Sequence, residues 1–122
     1  MSKAKTEILG PVISDFLKYE ATPLTRVAIA APQGTKAGTF VSWAFRGNLK
    51  LLALTDEADG KVIVQPYNCI INLDRCSDDE IRGGTSKTRG NVIEHLNKDG
   101  DLYGIVYILN RIVNLDPNVD SM

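Results

Sequence analysis

The sequence predicts an α+β protein: an N-terminal helix, then a small, strongly bent antiparallel β-sheet or barrel, with a long loop carrying a short helix. Three observations lead there. Residues 8–17 place Ile8, Leu9, Val12, Ile13, Phe16 and Leu17 at helical spacing. Residues 25–73 carry β-branched, aromatic and apolar runs separated by turn signals, and residues 77–101 become polar and glycine-rich around one helical pattern. At 122 residues, 43% apolar and 24% charged, the chain has the size and composition of one folded domain, and no linker divides it.

The first helix is expected within residues 1–20, its apolar stripe set against Asp15, Lys18 and Glu20. Gly10-Pro11 sets its start, since proline fits a first helical turn and not an interior, and Thr22-Pro23 closes it. Thr25 to Ala31 reads as the first strand, ending at the turn Pro32-Gln33-Gly34. Gly38 to Trp43 and Leu49 to Leu54 are the second and third, separated by Phe45 to Asn48. Asp59-Gly60 is a hairpin signal, so Lys61 to Val64 is either a further strand pairing there or the third strand extended. Asn68 to Leu73 continues as strand after Pro66 interrupts the ladder. Residues 77–101 read as a long loop, its acidic run Asp78-Asp79-Glu80 solvated, with one short helix around Val92, Ile93 and Leu96. The β-branched and tyrosine content of residues 102–115 favours two C-terminal strands broken at Asn110, and residues 116–122 form a tail.

Charge and composition narrow the function. A net charge of -1 and a pI near 5.8 argue against sequence-blind attachment to nucleic acid, so any such contact must be local. Two cysteines, Cys69 and Cys76, with the single histidine His95 cannot make a four-ligand zinc site unaided, and neither metal nor cofactor is expected. The polar start MSKAKTE reads as lacking a secretory signal, which favours the cytoplasm or another reducing intracellular compartment and free thiols. No apolar run approaches the roughly 20 residues of a membrane span. Catalysis is not expected: Glu94 and His95 point in different directions on a helix, and Ser86 and Cys76 have no identifiable base.

Two stretches are candidates for binding. Phe45-Arg46-Gly47-Asn48 puts an aromatic, a guanidinium, a glycine and an amide in one turn, in a pattern that a plain β-turn also contains. Gly83-Gly84-Thr85-Ser86-Lys87-Thr88-Arg89-Gly90 offers small residues, hydroxyls and two cations before a helix. That suits a phosphorylated ligand held by Gly84, Thr85, Ser86, Lys87 and Arg89. It is not a P-loop, because the glycine-to-Gly-Lys-Ser/Thr spacing is absent.

Val27, Ile29, Gly34, Gly38, Phe40, Trp43, Asn48, Leu49 and Leu51 fall on a pattern that resembles the first motif of the Sm and Sm-like (Lsm) proteins. Tyr103 to Val113 is similar to the second motif, with a competing placement at Thr88-Arg89-Gly90-Asn91-Val92-Ile93. Ala44 stands at the family's aspartate position, and Leu109-Asn110 replaces its Arg-Gly turn. The resemblance implies a homo- or hetero-oligomeric ring taking single-stranded RNA, with Arg46 stacking on a base, Asn48 reading its edge, and Asn110 and Arg111 closing the pocket. The alternative is a non-enzymatic protein-interaction or assembly component in which Tyr103 to Leu109 pairs with a neighbouring chain.

Overall fold

The computed structural model describes residues 13–47, 49–85 and 87–115. Among the described residues seven strands form three small sheets: β1 (Leu17–Glu20), β6 (Cys69–Asn72) and β7 (Ile105–Ile108) in one; β2 (Val27–Ala30) with β5 (Lys61–Val64); and β3 (Phe40–Trp43) with β4 (Leu49–Leu52). Helices α1 (Asp78–Arg82) and α2 (Val92–Gly100) lie between β6 and β7. The α+β class and the mainly antiparallel pairing match the sequence reading, but the sheets remain separate and do not close into a barrel.

The N-terminal helix is not formed over its described part. Residues Ile13–Asp15 make one 3-10 turn, and the chain then enters β1; residues 1–12, with Gly10-Pro11, lie outside the described residues. The cause is tertiary: Tyr19 and Glu20 pair antiparallel with Ile70 and Cys69, and the Phe16 carbonyl accepts from the Asn72 N–H. That ladder takes backbone groups a helix would use internally, while Phe16 and Leu17 are both buried. Thr22-Pro23 starts a structure here and ends none: the Thr22 hydroxyl accepts from the Leu24 N–H, capping the 3-10 turn Pro23–Thr25.

At Asp59-Gly60 both residues hold positive φ, as a tight hairpin turn requires, and Ala58 bridges Lys61. β5 nevertheless pairs in full register with β2, Val27 opposite Val64, and touches the end of β4 through the Leu54 N–H to the Ile63 carbonyl. Glu57 locks this corner, its carboxylate accepting from the Gly34 and Gly60 N–H groups.

The C-terminal half departs further. β7 runs parallel to β6, Cys69 opposite Ile105, and a parallel partner requires a long crossover, supplied by the segment holding α1 and α2. The acidic run read as solvated loop is the first turn of α1, where carboxylates suit the helix dipole; Ser77 caps it by accepting from the Glu80 N–H. Only one strand forms in residues 102–115, preceded by the 3-10 turn Asp101–Tyr103. Beyond Ile108 the side chains tether the chain, Asn110 to Asp74 and Arg111 to Asp78, leaving an isolated Asn91–Asn114 bridge where a second strand was expected.

One core joins the sheets, built on Phe16, Leu51, Leu54, Val62, Leu73, Ile81, Leu96 and Ile105. Helix α2 covers the free edge of β7, where the Asn97 side-chain amide accepts from the Tyr107 N–H at 2.7 Å and donates to its carbonyl at 3.2 Å. The amide thus takes the place of a neighbouring strand, which blunts the edge expected to pair with another chain.

Candidate functional site

The link between β3 and β4 is a 3-10 turn, Ala44–Arg46, stopped by Gly47 at φ 66°. That left-handed conformation is strained for a side chain although open space surrounds the position, so glycine is required here by backbone conformation. Phe45, within this turn, is 76% exposed. Asn48, expected to read a base edge, lies outside the described residues.

Phe45 does not stand alone. Its ring lies 5.6 Å from Trp43, Trp43 lies 6.4 Å from Tyr67, and Tyr67 lies 6.3 Å from Tyr103, making one row of four aromatic rings. The Arg46 guanidinium sits 5.0 Å from the Phe45 ring centroid and 5.8 Å from that of Trp43, and it donates to the Tyr67 hydroxyl at 3.1 Å. Arg46 is thereby held beside two rings and a hydroxyl, an arrangement open to lysine only in part because its ammonium has no planar fork. Tyr67 and Tyr103 meet because each precedes its strand by two residues and the strands are parallel, with Cys69 level with Ile105. The Asn68 N–H to the Tyr103 carbonyl, 3.0 Å, fixes that level.

Beside the row opens a cleft of about 310 Å³ lined by Arg46, Leu49, Lys50, Thr85, Asp99 and Tyr103. Leu102, 82% exposed, stands at its rim. Sequence reasoning missed Tyr67, Lys50, Asp99 and Tyr103 as site residues; no spacing signal could join them before the parallel β6–β7 pairing was known.

Arg111 is elsewhere. It donates to the Asp78 carboxylate at 2.8 Å and to the Asp74 and Cys76 carbonyls, while Asn110 binds the Asp74 carboxylate through its backbone and side-chain nitrogens. Asp74 follows β6, and Tyr67, the partner of Arg46, precedes it, so the two arginines attach at opposite ends of that strand. Six residues lie between their anchors, and the four of strand β6 alone span roughly 13 Å. The structure does not bring Arg46 and Arg111 into one pocket of one chain.

The Gly83 to Gly90 loop is used internally. The Gly83 and Gly84 N–H groups donate to the Asp79 and Ile81 carbonyls, and the Lys87 N–H to the Thr85 hydroxyl. Gly84 lies against Phe40, where a Cβ would approach the ring to 2.8 Å. At the start of α2 the Val92 N–H donates to the Val113 carbonyl and the Ile93 N–H to the Asn91 side chain. His95 bonds the Arg89 carbonyl at 2.8 Å, pinning the loop to the helix. Ser86 lies outside the described residues.

Among the described residues no His, Cys, Asp or Glu cluster is placed to hold a metal ion, and no helix is long and apolar enough to cross a membrane. Cys69 and Cys76 are free and buried. Burial, with the Glu20 charge adding to it, pushes the Cys69 thiol up to about 12, and burial with Glu80 pushes Cys76 to about 11. No protein-family model, curated protein or solved structure matches the chain.

Proposed function

We propose that this chain is a non-enzymatic binding module that takes the bases of single-stranded RNA on the Phe45–Trp43–Tyr67–Tyr103 row. The observation that carries this reading is the row itself, with Arg46 beside two of its rings and its Phe45 end open to solvent. Unpaired bases expose both faces, and planar side chains gain about 1–3 kcal/mol per stacked base. Arg46 and Lys50 supply the local positive charge that the acidic chain lacks overall. All of these groups come from one chain, so the Sm-like ring is not needed to assemble them. Fluorescence anisotropy of a labelled oligouridine tests the reading. Phe45→Ala and Arg46→Ala should each weaken binding about tenfold. Absence of binding by the unaltered chain, or indifference to both changes, would remove the proposal.

A second reading, an assembly component, is favoured by a different surface. On the outer face of the three-stranded sheet Tyr19, Ile70 and Val106 share one cross-strand row, with Tyr19 57% and Val106 46% exposed. A strictly monomeric native mass at high concentration would count against it.

A further inference from the structure

We propose that the cleft beside the aromatic row selects guanine, whose Watson–Crick edge is held by the Asp99 carboxylate. This rests on the reading of the row as a base-stacking surface. The cleft joins three kinds of group: a ring and alkyl walls from Tyr103 and Leu49, cations from Arg46 and Lys50, and a single carboxylate from Asp99. That carboxylate is exposed to solvent in the last turn of α2.

The base edge then follows from donor and acceptor chemistry. Guanine presents the N1–H and the exocyclic N2–H side by side, and a carboxylate accepts both in a parallel, charge-assisted pair. Uracil offers one N–H flanked by two carbonyl oxygens, which a carboxylate repels. Adenine and cytosine each place an acceptor nitrogen beside the amino group, so one carboxylate oxygen would face a lone pair. A cationic guest such as a peptide lysine would also suit Asp99 and Tyr103, but Arg46 and Lys50 in the same cleft repel it. Those two cations suit instead the phosphates that accompany a base.

Competition anisotropy on the full chain tests this with a heptauridylate, the same strand with guanosine at its centre, the same strand with adenosine there, and guanosine monophosphate. The guanosine strand should bind about tenfold tighter than the heptauridylate or the adenosine strand, and in Asp99→Ala the three should fall within about twofold of one another. Guanosine monophosphate displacing the strand at equal concentration would support the guanine pocket with a free nucleotide as its guest. Failure to displace would support it with the base delivered in a strand. Equal affinity for all three strands in the unaltered chain, or a guanine preference that survives Asp99→Ala, overturns the inference while leaving the stacking surface standing. If no strand binds at all, it is the stacking surface that has failed.

Discussion

Arg46 shows how a residue's role is set by what packs around it. Its guanidinium lies against Phe45 and Trp43 and donates to the Tyr67 hydroxyl, so part of the ordering cost is met before any guest arrives. Arg46→Lys should therefore recover less than half of the affinity lost in Arg46→Ala, as read by the same oligouridine titration, because an ammonium keeps the charge and loses the plane. The cysteines make the opposite case, two reactive groups silenced by their surroundings. With thiols raised to about 12 and about 11 by burial, almost no thiolate exists at pH 8, and the thiolate is the nucleophile. Labelling by a thiol reagent at pH 8 should be slow in the folded chain and rise at least a hundredfold in denaturant. Fast native labelling would mean that these side chains are less enclosed than described.

At the scale of elements, β-structure was legible where side chains alternate and illegible where partners had to be chosen. Val27, Ile29 and Ala31 read as strand from their alternation and Lys61-Val62-Ile63-Val64 from the Asp59-Gly60 hairpin signal before it, yet nothing local says that the two segments pair with each other. Phe16 to Glu20 misleads, since Phe16 and Leu17 complete a helical stripe in sequence while β6 draws the segment into a sheet. The start of α1 was legible and overlooked: Ser77 followed three residues later by Glu80 is a capping pattern. Phe45 and Arg46 could be picked from sequence as a turn, but Tyr67 and Tyr103 join them only through the parallel register of β6 and β7. Asn110 and Arg111 looked like a second binding turn and instead clamp the end of β7 to Asp74 and Asp78. Arg111→Ala should lower the free energy of unfolding on the order of 1 kcal/mol in urea titrations and leave oligouridine affinity unchanged. Weakened binding in that variant would return Arg111 to the site.

For the molecule as a whole, three small sheets around one core are tied by carboxylates that accept backbone or side-chain hydrogen bonds. The Arg26 side chain, with help from Gln65, holds Glu20 below its ordinary value. The Gly34 and Gly60 N–H groups do the same for Glu57, and the Asn110 N–H leads the effect on Asp74. Each depressed carboxylate contributes stability that is fully present above its unfolded value, near pH 4, and is lost as pH falls through the lower folded value. The urea midpoint should therefore stay level from pH 7 to about 5 and drop below about pH 4. Asp74→Asn and Glu57→Gln should flatten the drop; a midpoint that declines already between pH 7 and 5 would contradict the assignment.

The aromatic row and the Arg111 clamp lie at opposite ends of β6, so a map of amide chemical shifts on adding single-stranded RNA separates them in one measurement. Shifts should concentrate at residues 43–50, at Tyr67 and at residues 99–103, leaving Asn110 and Arg111 still. Shifts centred on Asp74, Asn110 and Arg111, or none above the noise at millimolar RNA, would contradict the stacking surface.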